Sequence, residues 1–159
     1  MIRLAALLCC LAGLALATPA KADDRHAGYY YPQPQSIETY HARATPLPEA
    51  NRARRLGFIS GVTQSQLNSP YPVQHVMFAK GQEAEKLVIV ALRDGYLDTI
   101  YRARALFAGL TSAARVTPIF ADLDEFDRYT FFDLAVLLGF TRITVSDGET
   151  FAHQVELSY

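Results

Sequence analysis

Leu87-Val88-Ile89-Val90-Ala91-Leu92 is an unbroken apolar run, rich in β-branched residues and bounded by Lys86 and Arg93. A run this short with no polar alternation reads as a strand buried on both faces. Arg93-Asp94-Gly95 breaks it, and a helical pattern follows over residues 96–114. Tyr96, Ile100, Ala103, Phe107, Leu110 and Ala114 keep three- and four-residue spacings and share one face. Asp98 and Arg102 lie opposite, four apart with the acid first, the favourable order for a solvent-side pair. Asp94 is placed to cap the first turn. An apolar strand followed by such a helix is the first half of a βαβ crossover.

The flanks extend the sheet. Residues 56–67 alternate, with Phe58, Ser60, Val62 and Gln64 on one side and Ile59, Gly61 and Thr63 on the other, which predicts a strand. Asn68-Ser69-Pro70-Tyr71-Pro72 is turn chemistry. Residues 73–80 predict a second strand with Val73, His75, Met77 and Ala79 on one side. Short connections make 56–92 an antiparallel meander. Beyond the helix, residues 116–120 read as an edge strand or extended connection, because Pro118 has no N–H to donate. Thr130 and Asp133 fit a capping box for a helix over 131–138, and Gly139 suits its left-handed end.

Residues 141–146 and 150–158 predict a terminal hairpin around Asp147-Gly148. A three-residue loop, Ser146-Asp147-Gly148 with Gly148 left-handed, pairs Ile143 with Phe151. It places Ile143, Val145, Phe151, His153, Val155 and Leu157 on one face. The expected fold is a single α+β domain over 56–159, a mixed, mostly antiparallel sheet in the order β-β-β-α-β-α-β-β with two helices packed on it.

Two segments precede that domain. Residues 1–22 have Arg3, an apolar stretch over 4–17 and a small-x-small site, Ala20-Lys21-Ala22, the pattern of a secretory signal peptide cleaved near Ala22. The expected destination is the periplasm or the exterior. Cys9 and Cys10 leave with it, so the mature chain has no thiol and no disulfide. Removing Arg3 and Lys21 leaves 13 basic residues against 16 acidic ones, a net charge of −3. That balance gives no reason to expect a nucleic-acid partner. Nor does any later segment have the length of apolar sequence that spans a bilayer. Residues 23–55 hold Pro32, Pro34, Pro46 and Pro48 with Tyr29-Tyr30-Tyr31 and Tyr40, an extended arm with aromatic rings to dock. Arg52, Arg54 and Arg55 read as a solvated face.

Few residues carry chemistry. If the strands at 87–92, 116–120 and 141–146 run parallel, then Asp94, Asp122 with Asp124, and Asp147 gather where open α/β sheets bind ligands. Such acids hold cations or transfer protons, although Asp-Gly after a strand is also ordinary turn chemistry. His26 and His41 lie in the arm. His75 and His153 sit on apolar strand faces, the usual place of a core histidine. His153 also has Asp147 and Glu149 close in sequence, a pairing that beside a hydroxyl makes a nucleophilic site. Arg102 is a candidate anion ligand whose simpler partner is Asp98. No histidines are spaced as metal ligands, and neither Gly-x-Gly-x-x-Gly nor a P-loop occurs, so no metal or cofactor is expected.

The stretches Ala27-Gly28-Tyr29-Tyr30-Tyr31-Pro32, Asp94-Gly95-Tyr96-Leu97-Asp98-Thr99-Ile100-Tyr101-Arg102-Ala103-Arg104, Tyr129-Thr130-Phe131-Phe132-Asp133 and Ile143-Thr144-Val145-Ser146-Asp147-Gly148 resemble a group of exported alphaproteobacterial proteins. Some of that group carry the label molybdopterin-guanine dinucleotide biosynthesis protein A. The label implies a nucleotidyltransferase. Enzymes of that name have an N-terminal Leu-Ala-Gly-Gly-type loop with a nearby Arg-Met-Gly and a lysine, which has no counterpart here, so the resemblance assigns no catalytic residue. The expected function is a small periplasmic binding or accessory protein without catalysis, its partner a small molecule or another periplasmic protein. The alternatives are a periplasmic hydrolase using Asp94, Asp147 and His153, and the nucleotidyltransferase of the label.

Overall fold

A computed structural model describes residues 32–121, 123 and 126–159. The tyrosines at 29–31, His26, Asp122, Asp124 and the leader lie outside them. The elements run β1 (Ser36–His41), α1 (Arg52–Leu67), β2 (His75–Lys80), β3 (Lys86–Ala91), α2 (Ile100–Arg115), α3 (Pro118–Ala121), α4 (Phe131–Leu137), β4 (Arg142–Ser146) and β5 (Ala152–Ser158), with a single 3₁₀ turn at Phe126–Arg128. The fold is α+β, one five-stranded mixed sheet in the order β1-β5-β4-β3-β2. Its β2–β3 and β4–β5 pairs are antiparallel, and its β3–β4 and β1–β5 pairs are parallel.

Strand β3 behaves as its composition demands. Leu87, Val88 and Ile89 are all buried. Leu87 and Ile89 join Met77, Ile143, Val145, Val155 and Leu157 in the main core beneath the helices. Val88 meets Ala152 and Val90 in a smaller cluster on the other face. Burying one such side chain stabilises the fold by about 1.5–3 kcal/mol. Because β3 and β4 are parallel neighbours, the intervening helices form the expected crossover. Helix α2 starts at Ile100, with Thr99 as its cap accepting from the Arg102 N–H at 3.3 Å. Tyr96 and Leu97 belong to the lead-in, and Leu97 is fully buried there.

Three expectations about helical segments are corrected. Residues 56–67 are not a strand but most of α1. The competing signal is Arg55, Phe58, Ile59 and Val62, spaced i, i+3, i+4, i+7, with Asn51 as N-cap accepting from the Arg54 N–H at 3.0 Å. Phe58, Ile59 and Val62 pack on the core. The meander therefore shrinks to the β2–β3 hairpin, and the missing strand is β1, from within the proline-rich arm. Second, residues 118–121 form a helical turn rather than an edge strand, with Pro118 at its first position, where a missing N–H goes unmissed. Third, Arg55 is buried rather than solvated, at 5 % exposure. Its guanidinium donates to the carbonyls of Glu83 (2.7 and 3.0 Å), Leu138 (3.3 Å) and Gly139 (3.2 Å). It thus ties α1 to the β2–β3 turn and to the negative end of α4. Gly139 has φ +82°, and a Cβ there would meet the Arg55 guanidinium at 2.6 Å.

The terminal hairpin is present with a longer loop than expected. Ile143 pairs with Val155 and Val145 with His153, leaving five residues, 147–151, in the turn. The shift from the expected register is four residues. An even shift preserves side-chain parity, so the predicted face of β4 and β5 holds. The capping box of α4 forms as expected, the Asp133 carboxylate accepting from the Thr130 N–H at 2.8 Å.

Candidate functional site

Two cavities open along α2, on the helix-bearing side of the sheet. The larger, about 550 Å³, is lined by His75, Gly95, Tyr96, Arg102, Ala105, Leu106, Gly109 and Leu110. Strand β2 supplies His75 from its first residue. The turn after β3 supplies Gly95 and Tyr96, with the Tyr96 N–H on the Arg93 carbonyl at 3.2 Å and Gly95 at φ +69°. The first turns of α2 supply Arg102. The His75 and Tyr96 rings lie parallel within 4°, centroids 6.0 Å apart. At Gly109 an added Cβ would touch nothing within 4 Å, so the cavity wall stays open at that turn of the helix.

The polar groups here have defined states. Arg102 donates from one terminal nitrogen to both Asp98 oxygens, at 3.0 and 3.1 Å, and both side chains are partly exposed. The Gln66 amide sits 3.3 Å from His75 Nε2 and donates to the His75 carbonyl at 3.1 Å. His75 Nδ1 is buried with no hydrogen-bond partner in the structure. Burial lowers the His75 pKa below 6.5 and raises that of Tyr96 above 10.0, so both rings are uncharged at neutral pH.

The smaller cavity, about 280 Å³, lies between β1, β5, α2 and α4. His153, 1 % exposed, lies on its floor, and its partners come from β1 rather than from its own hairpin. The parallel register sets Ser36 beside His153. Ser36 Oγ is 2.8 Å from His153 Nδ1, and Glu38 Oε2 is 3.8 Å from Nε2. Glu38 in turn accepts from Arg104 at 2.6 Å. Desolvation is the main reason the His153 pKa is lowered; Glu38 pulls it up, Arg104 pushes it down, and the Ser36 backbone raises it. Beside this line, Tyr40 donates to Asp133 at 2.9 Å and accepts from Thr130 at 3.0 Å. Asp133, fully buried, also accepts from the Arg43 N–H at 2.8 Å.

Asp94 and Asp147 line neither cavity. Asp94 and Asp147 follow the carboxyl ends of the parallel pair β3 and β4, as their spacing implied. Asp94 is exposed. The Asp147 carboxylate is committed to its own loop: it accepts from the N–H groups of Glu149 (2.8 Å), Thr150 (2.9 Å) and Phe151 (2.9 Å) and from the Thr150 hydroxyl (2.9 Å). Burial pushes this carboxyl up, but those hydrogen bonds outweigh it and leave its pKa below 3.8. Such a carboxylate organises a turn. Among the described residues, no three of His, Cys, Asp and Glu are grouped to hold a metal ion, and no helix is long and apolar enough to cross a membrane. Sequence reasoning missed Ser36 and Glu38 and gave Tyr40 no role beyond docking; their partners lie 66 to 117 residues away and leave no local spacing signal. It also passed over Tyr96 beside His75, both of which it had placed on core faces. Compared with family models, curated proteins and solved structures, the chain has no match in any of the three.

Proposed function

We infer that the mature chain is a small periplasmic binding or accessory protein, and that its ligand is a small organic acid with a flat apolar body. The observation that carries this reading is the parallel His75–Tyr96 ring pair beside the Arg102 guanidinium in the larger cavity. The apolar wall of α2 suits the body of such a ligand, and the rings suit its plane. Arg102 uses one nitrogen on Asp98, which leaves the other edge of its fork for a carboxylate. The export pattern of residues 1–22 supports the periplasmic part.

Thermal unfolding of residues 23–159 with benzoate tests it, with benzyl alcohol and acetate as the two halves of the probe. A ligand of the folded state at a hundredfold excess over its Kd adds about 2.7 kcal/mol. The expected result is a saturable rise with benzoate that is lost in Arg102→Gln and absent with either half. No rise with benzoate or with larger aromatic acids overturns the reading. Hydrolysis is a second reading, favoured by the 2.8 Å approach of Ser36 Oγ to His153 rather than by Asp94 and Asp147. Labelling of Ser36 by a serine-directed fluorophosphonate in the same preparation would put it ahead.

A further inference from the structure

The smaller cavity has a different chemistry from the larger one. Three aromatic rings line it: Tyr40, Phe107 and Phe132. Phe132 is central, 4.7 Å from Tyr40 and 4.8 Å from Phe107, with interplanar angles of 38° and 58°. Tyr40 and Phe107 are thus each inclined to Phe132 rather than stacked on it, and all three rings line the one small volume. At the same cavity stand one acid and one base, Glu38 and Arg104, joined to each other at 2.6 Å. Both are about half exposed, and an exposed ion pair contributes little, so it opens at small cost.

We propose that this cavity is a second binding site, for a small zwitterion with a quaternary ammonium group, of the betaine class. Inclined aromatic rings attract a diffuse cation through their negative faces, and a methylated ammonium sheds its weakly held water readily. Glu38 supplies the opposite charge beside them. The ligand carboxylate replaces Glu38 on Arg104, so each member of the pair exchanges its partner for one end of the ligand, and net charge is conserved. A cavity of about 280 Å³ lies below the usual range for drug-sized ligands and suits a molecule of this size. A cation alone would leave Arg104 unpaired, and an anion alone would leave Glu38 unpaired, so the doubly charged ligand is favoured over either.

The test is titration of residues 23–159 with glycine betaine, followed by backbone-amide NMR, against tetramethylammonium and acetate. The expected result is saturable binding that moves the signals of β1 and of the Arg104 turn. Affinity should fall at least tenfold in Glu38→Gln and in Arg104→Gln and stay unchanged in Arg102→Gln. Both changes are at partly exposed side chains, and the amide spectrum reports directly whether each variant is folded. Tetramethylammonium and acetate should each bind at least tenfold more weakly. Absence of saturable betaine binding overturns the proposal. So does binding that survives both variants, and so does equal affinity for tetramethylammonium, which would leave Arg104 without a role. Because Arg102 belongs to the other cavity, failure here and failure of the organic-acid reading are separate results.

Discussion

His153 and His75 both carry pKa values lowered by burial, below the 6.5 of an unfolded histidine. In the window just under pH 6.5 the unfolded chain takes up protons that the folded chain refuses. Stability therefore falls as pH drops through that window and is fully recovered above it, each group contributing up to about 1.4 kcal/mol per pH unit. The expected outcome is a melting temperature that declines between pH 7 and pH 5, with a shallower slope in His153→Gln whatever that variant's absolute stability. Calorimetry across the range checks it. Asp147 has the same sign but acts below its reference of 3.8, outside this window. At this scale the sequence was legible where interactions are local. The Asp98–Arg102 pair, the Thr130–Asp133 box and the turn character of Asp147 all follow from spacings of three or four residues. The partners of His153 were not legible, because Ser36 and Glu38 reach it only through strand pairing across 117 residues of chain.

Helix α1 shows what misleads a reading by period. Its buried positions are few, its polar residues are many, and Gly57 and Gly61 sit four apart within it. Glycine lowers helix preference, and Ser60 and Thr63 are equally at home in strands, so two periods fitted nearly as well. The deciding features are the Asn51 cap and the buried Arg55, and a buried arginine is an unlikely guess from composition. Added methyl groups at Gly57 and Gly61 would meet nothing within 4 Å. Gly57→Ala and Gly61→Ala are expected to stabilise the protein by about 0.5–1 kcal/mol each, as read by urea unfolding. The hairpin of β4 and β5 was legible in face but not in register, because turn chemistry at Asp147-Gly148 fits loops of three and five residues alike. Strand β3, with no competing pattern, was read to within a residue at either end.

Across the whole molecule, the α+β class and the crossover from β3 to β4 were legible from one apolar run and one amphipathic helix. The order β1-β5-β4-β3-β2 was not, since nothing local announces that the first strand lies beside the last. This order makes the two ends unequal. Removing residues 32–41 takes away an edge strand and leaves four strands hydrogen-bonded in sequence. Removing residues 152–159 deletes an interior strand and parts β1 from β4. The shorter C-terminal deletion is expected to abolish cooperative unfolding, while the N-terminal one lowers stability and keeps a transition, as circular dichroism in urea would show. The same order governs birth. A chain leaves the ribosome or a translocation channel amino end first, so Ser36–His41 emerges early and waits unpaired through all later synthesis. Only when Ser158 is free is the strand that pairs with β1 complete, so this edge of the sheet is the last to have both its partners.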